Sequence, residues 1–203
     1  MRILVLATGL VLVVIALVPR LGATRLPGNN QGYSPVQPIA YSHRLHAGEL
    51  GMQCLYCHFG AERSRRAGIP AASICMNCHR FVTAPITVLR DEDERAKKEE
   101  RKPERIVSDE LAKLYAALGL DDEMQRDPKL PVTPIRWVRV HKLPDFVSFD
   151  HRSHITAGLT CQRCHGPVET MERMRQENDL SMGWCIDCHR SEQASTDCST
   201  CHY

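Results

Sequence analysis

The chain has 203 residues, with 26 Lys and Arg against 24 Asp and Glu, giving a formal net charge of +2. A balance this close to neutral offers no electrostatic footprint for nucleic acid. Hydrophobic residues make up 43% and aromatics 5%, counting an N-terminal apolar run and ten cysteines, so the remainder is thin for a conventional core.

Ile3 to Val18 is an uninterrupted run of apolar and small residues, preceded by Arg2 and followed by Pro19-Arg20. It falls between a signal-peptide core and a full membrane span of about 17–25 residues. No convincing small-x-small cleavage site follows, the nearest being Leu21-Gly22-Ala23, and no Cys follows the run to carry a lipid. Residues 1–20 are therefore expected to be a retained single-pass anchor, with a removed signal as the alternative. Arg20 and Arg25 beyond it weaken the positive-inside signal. Residues 21–39 read as an extended linker, because Leu26 to Pro38 carries three Pro, two Gly and no charge.

The first repeat unit, 41–80, runs Tyr41-Ser42-His43-x-x-His46, then Cys54-x-x-Cys57-His58, then Cys75-x-x-Cys78-His79-Arg80. A connector over 81–134 follows. From Arg90 to Arg105 fourteen of sixteen residues are charged, seven of each sign. The i,i+4 pairs Asp91/Arg95, Asp93/Lys97 and Glu94/Lys98 predict a solvated helix. Ser108 is placed to cap a second helix. Its apolar positions Leu111, Leu114, Tyr115 and Leu118 form one stripe, and Gly119 stops it. That stripe is read as packing. After Pro128, Pro131 and Pro134, alternation in Ile135 to His141 predicts a short strand with His141 on the face of Trp137 and Arg139.

The second unit, 149–190, repeats the first: Phe149-Asp150-His151-x-x-His154, then Cys161-x-x-Cys164-His165, then Cys185-x-x-Cys188-His189-Arg190. An aromatic precedes each HxxH by two positions and an Arg follows each second CxxCH. A fifth site, Cys198-Ser199-Thr200-Cys201-His202, is added at 198–202.

Five Cys-x-x-Cys-His motifs thus use all ten cysteines and five of ten histidines. In each, two thiols can form thioethers to a porphyrin while the adjacent His binds its iron, the pattern of c-type haem. Zinc sites do not require a His after every second Cys, and disulfide frameworks do not require CxxC spacing. The expectation is five covalently bound haem c groups, held by Cys54, Cys57, Cys75, Cys78, Cys161, Cys164, Cys185, Cys188, Cys198 and Cys201. The irons would be ligated by His58, His79, His165, His189 and His202. The spare histidines His43, His46, His141, His151 and His154 supply one sixth ligand per iron. Four of these form the HxxH pairs, whereas His141 is assigned by count alone. Methionine is the rival sixth ligand: Met52 and Met182 lie near attachment cysteines, and Met171 and Met174 are read as helical. Haem attachment through CxxCH needs an exported compartment, so the body at 40–203 is expected on the periplasmic side of a cell membrane.

Longer blocks carry a family resemblance. Ile39 to Cys54, Gly68-Ile-Pro-Ala-Ala-Ser-Ile-Cys75-Met-Asn-Cys78-His79, Arg136-Trp-Val-Arg-Val-His141, Ser181-Met-Gly-Trp-Cys185 and Ser195 to Tyr203 resemble the pentahaem cytochrome c subunit of alternative complex III. HxxH before CxxCH alone resembles class III cytochrome c. The family resemblance implies a membrane-bound assembly that oxidises quinol and passes electrons to a soluble acceptor or an oxidase. It also implies an iron–sulfur/molybdopterin-like subunit, integral membrane quinol-oxidising subunits and a monohaem cytochrome c as partners. By similarity to cytochrome c3-like units, His43 would cap the haem of Cys54–His58 and His151 that of Cys161–His165, with His46, His154 and His141 capping others.

The expected fold class is therefore mostly irregular with short α-helices, a multihaem cytochrome c organised around its haems, plus one N-terminal membrane helix. The expected function is electron relay within a quinol:acceptor oxidoreductase, with no catalytic residue on this chain. A tethered quinol dehydrogenase or periplasmic shuttle acting alone is the alternative, and a multihaem reductase needs an open iron that the histidine count does not leave.

Overall fold

A computed structural model describes residues 29–203, so the apolar run at 3–18 and the start of the linker lie outside the described residues. Among the described residues no strand forms, and the only β contacts are the isolated bridges Leu120↔Arg126 and Val147↔His202. No described helix is long and apolar enough to cross a membrane.

The two repeat units fold alike. The first contains a π-helical turn at Arg44–Glu49, α1 at Cys54–Cys57, a 3-10 turn at Phe59–Glu62 and α2 at Ala72–His79. The connector contributes α3 at Ile86–Lys98 and α4 at Asp109–Leu118. The second unit contains α5 at His151–Thr156, α6 at Cys161–His165, a 3-10 turn at Val168–Thr170 and α7 at Met182–Ser191, and α8 at Cys198–Cys201 ends the chain. Each CxxCH thus opens or lies within a short helix. Asp150 and Ser181 cap α5 and α7, their side chains accepting from Arg152 N–H at 2.9 Å and Trp184 N–H at 3.3 Å.

The units dock reciprocally. The HxxH turn of the first lies on the segment after the first CxxCH of the second: Arg44 N–H donates to the Met171 carbonyl at 2.9 Å. Arg44 also pairs with Glu172, and a Cβ on Gly48 would strike the Glu169 carbonyl, so only glycine permits this approach. In return α5 lies on the segment after the first CxxCH of the first unit. There His151 N–H donates to the Arg65 carbonyl at 3.3 Å and the Arg65 guanidinium donates to Ser148 Oγ at 2.6 Å.

The connector departs from expectation in two places. Helix α3 begins at Ile86, directly after Pro85, rather than within the charged run. Its ion pairs are not the anticipated i,i+4 set. Glu92, only 3% exposed, takes Arg101 at 2.5 Å, Arg95 at 3.6 Å and the Glu104 N–H at 2.9 Å. The expected strand at 135–141 does not form either. The backbone N–H and C=O of Val138 are met instead by the Gln37 side-chain amide, at 2.8 and 3.0 Å, which takes the place of a partner strand. Nor are Met171 and Met174 helical; they follow the 3-10 turn in irregular chain.

Helix α4 follows its sequence signals. Ser108 Oγ accepts from Leu111 N–H at 3.4 Å, and Gly119 ends the helix at φ 62°. Its stripe packs on α2: Leu114 and Tyr115 form a buried cluster with Met76, lined by Cys75, Leu111, Leu118 and Ile135. Elsewhere burial is sparse. The other buried apolar side chains among the described residues are Ala61, Ala84, Ala96, Val140 and Met171.

Candidate multihaem centre

Most of the ten histidines are brought into a few tight constellations. His46 and His79 face one another with ring centres 6.0 Å apart and planes at 58°, and His154 and His189 repeat this at 6.0 Å and 53°. His151 and His165 stand parallel, 6.4 Å apart at 6°. Two imidazoles sharing one metal, each nitrogen about 2 Å from it, put their ring centres roughly 6 Å apart. After burial, the imidazoles of His58, His46 and His165 are what lower the pKa of His43.

The aromatic before each HxxH organises the pair. Tyr41 lies edge-on to His43 at 4.9 Å and stacked on His46 at 4.4 Å; Phe149 lies edge-on to His151 at 4.8 Å and tilted over His154 at 4.5 Å.

Hydrogen bonds then fix which ring nitrogen is free. His46 Nδ1–H donates to Ser42 O at 2.9 Å, His58 to Gly68 O at 2.8 Å, His79 to Val82 O at 2.8 Å, His151 to Arg65 O at 2.8 Å, His154 to Asp150 O at 2.8 Å and His189 to Ser195 O at 2.6 Å. A carbonyl can only accept, so in these six rings Nδ1 carries the proton and Nε2 keeps its lone pair for a metal. His43 Nδ1 is buried without a partner. Burial first, then neighbouring imidazoles, lowers His43 to about 4 and His165 to about 3; burial, then His151, lowers His141 to about 4. All three are neutral at pH 7, the state in which imidazole ligates.

His141 lies edge-on against His165. Its Nε2 lies 3.3 Å from Nδ1 of His165, with ring centres 4.4 Å apart, and it does not pair with His202. It occupies at His165 the place that the Gly68 carbonyl occupies at His58. His202 is instead held near Phe146, at 5.6 Å, and by its bridge to Val147.

The thiols are free at all ten cysteines. Among the described residues no three His, Cys, Asp or Glu converge as a metal-holding group, which is what a tetrahedral zinc site would need. Burial, and after it the charge of other cysteines, raises the thiols of Cys57, Cys75, Cys161, Cys164 and Cys185.

Residues 147–203 match the family described as cytochrome c7 and related cytochrome c. They form a cytochrome c7-like multihaem domain. Along more of its length the chain is similar to a protein named menaquinone reductase, multiheme cytochrome c subunit, from Nitratidesulfovibrio vulgaris (strain ATCC 29579 / DSM 644 / CCUG 34227 / NCIMB 8303 / VKM B-1760 / Hildenborough). The two are 26% identical over 192 residues, covering 82% of this chain and 76% of that protein. A multihaem cytochrome c of this kind carries haem c covalently and transports electrons.

The residues present fit that group. Some of the exposed apolar side chains lie beside the motifs: Tyr56 and Phe59 at the first, Phe81 and Val82 after the second, Met182 before the fourth and Tyr203 after the fifth. Exposed apolar surface beside an attachment site is what a macrocycle would cover.

Sequence reasoning missed several supports. Tyr115 O–H donates to the His79 carbonyl at 2.6 Å, tying α4 to the second motif. The Asn178 amide donates to the carbonyls of Arg163 and Cys164 at 3.1 and 3.0 Å. Neither lies in a CxxCH or HxxH pattern, and only the stripe on α4 pointed toward Tyr115.

Proposed function

We propose that the chain is the electron-transfer subunit of a membrane-bound quinol-linked oxidoreductase of the alternative complex III type, holding five c-type haems at its five CxxCH motifs. The observation that carries this reading is the recurrence of histidine pairs at 6.0, 6.4 and 6.0 Å, each joining a CxxCH His to a spare His. Bound there, haem c supplies a one-electron iron couple.

The residues have separate tasks. The ten cysteines fix the porphyrin edges covalently. His58, His79, His165, His189 and His202 are the proximal ligands; His43, His46, His151 and His154 close the irons of His58, His79, His165 and His189. Main-chain carbonyls hold six of these rings in one tautomer, and Tyr41 and Phe149 hold each HxxH in register. Four closed irons of the five favour conduction over substrate chemistry, so no residue of this chain is assigned a catalytic role. The apolar run at residues 3–18 anchors the haem body on the periplasmic side. The partners are an iron–sulfur/molybdopterin-like subunit, integral membrane subunits that handle quinol, and a monohaem cytochrome c.

A second reading follows from the similarity to a menaquinone reductase subunit: the same relay delivering electrons to menaquinone rather than taking them from quinol. Purification of the native protein in mild detergent separates these readings from a stand-alone cytochrome. Co-migration with integral membrane subunits, and reduction of the haems by added menaquinol, support the quinol-oxidising complex. Haems reduced only by a soluble donor, with menaquinone then consumed, favour the reverse direction. Migration as a lone chain counts against both.

A further inference from the structure

We propose that the five attachment sites are strung in one unbranched line, in the order Cys75–His79, Cys54–His58, Cys161–His165, Cys185–His189, Cys198–His202, with electrons exchanged with partners at its two ends. This rests on the reading of the five motifs as haem c sites. The order differs from that of the sequence, because the second motif comes first.

Each link stands on contacts between motifs. The amide of Asn77, inside Cys75–His79, donates to Tyr56 Oη, inside Cys54–His58, at 2.8 Å. His46, just upstream of Cys54, faces His79. Cys54–His58 meets Cys161–His165 across the reciprocal interface of the two units, where His151 bonds the Arg65 carbonyl beyond His58 at 2.8 Å and stands parallel to His165 at 6.4 Å. Arg163, inside Cys161–His165, reaches Glu192 at 3.9 Å just beyond His189, and it lines one pocket with Cys188. The last link is local: His189 Nδ1 bonds Ser195 O at 2.6 Å and Ser195 Oγ bonds Thr200 Oγ1 at 3.0 Å. A thioether fixes one edge of a porphyrin, so sites in contact bring two macrocycle edges together.

The reciprocal docking explains the inversion. It presses the first site of each unit against the first site of the other, which leaves both second sites outside the central pair. Cys75–His79 then backs onto α4 through Tyr115 and Leu114 instead of onto another motif. Exposure agrees independently: among the ten cysteines only Cys78 and Cys198 are exposed, one in each terminal site. A one-electron donor protein at one end loses the electron that a one-electron acceptor gains at the other.

The test is the set of iron positions in the fully loaded protein, from cryo-electron microscopy or iron anomalous diffraction, after a haem count on the same sample. The expected result is five irons with the nearest-neighbour path in the order above, those of Cys75–His79 and Cys198–His202 being the most distant pair. An iron of Cys75–His79 nearest to Cys161–His165 or Cys185–His189 overturns the order, as does an iron of Cys198–His202 nearest to any site but Cys185–His189. A count below five overturns the haem reading itself, and the line with it. The variant Cys198→Ala/Cys201→Ala gives a second readout. It is expected to lose one haem and keep the other four positions unchanged, and displacement of those of Cys75–His79 would contradict an end position.

Discussion

Six candidate ligand rings give their Nδ1–H to main-chain carbonyls, which leaves Nε2 as the only nitrogen able to meet an iron. His165 is the variation on this theme, because its Nδ1 meets the imidazole of His141. A hydrogen-bond acceptor at Nδ1 raises the basicity of a ligand ring and stabilises the oxidised metal. His141→Ala is accordingly expected to raise the midpoint potential of one haem, that of Cys161–His165, while the spin state of every iron stays as in the parent. Redox titration followed by electron paramagnetic resonance checks this, and a new high-spin ferric signal would make His141 an iron ligand instead. The sequence disclosed the histidines and the aromatic two positions before each HxxH, since these are side chains at fixed spacing. It could not disclose the acceptors Gly68 O, Val82 O, Arg65 O and Ser195 O, because any residue supplies a carbonyl and only the folded path brings it to a ring.

At the scale of elements, signals that act within a few residues were readable. Ser108 and Gly119 bound α4 because a hydroxyl N-cap and a left-handed C-cap are local devices. The strand expected at 135–141 failed for the opposite reason. Alternation supplies a face but not a partner, and the Gln37 amide claimed the Val138 backbone. The charged run likewise concealed Glu92, whose burial comes from the chain folding back at Arg101 and Glu104. Two expectations belong here. Leu114 is 3% exposed at the centre of the α4–α2 contact, so Leu114→Ala should cost about 2–5 kcal/mol of stability in denaturant unfolding of the loaded protein. A cost within error of zero would remove α4 from the fold's support. The hydrogen bond from Arg101, then that from Glu104 N–H, lowers Glu92 from its ordinary 4.5 to about 2. Its folded pKa lies below its unfolded one, so its contribution is full above about 4.5 and is lost as the pH falls through 2. Glu92→Gln should flatten that part of the acid-unfolding profile, and an unchanged profile would contradict the assignment.

Among the described residues few apolar side chains are buried, and part of the exposed apolar surface sits beside the CxxCH motifs. Chains with small cores depend on covalent or metal supports, and here the haems are the supports the motifs provide for. The chain expressed without haem attachment is expected to show no cooperative unfolding transition; a cooperative transition in the haem-free chain would mean that the protein core suffices. Duplication of the two units was plain in the sequence. Their reciprocal docking was not, because it depends on Gly48 passing close to Glu169 and on Arg65 reaching Ser148, contacts between residues far apart in the chain. The central claim is that every CxxCH motif holds a haem, and the haem-to-chain ratio of the purified protein, measured as the pyridine haemochrome after removal of loosely bound haem, tests it most directly. The account predicts five covalent haems per chain, whereas a ratio below five, or a chain whose cysteines are taken up by zinc or disulfides, would contradict it.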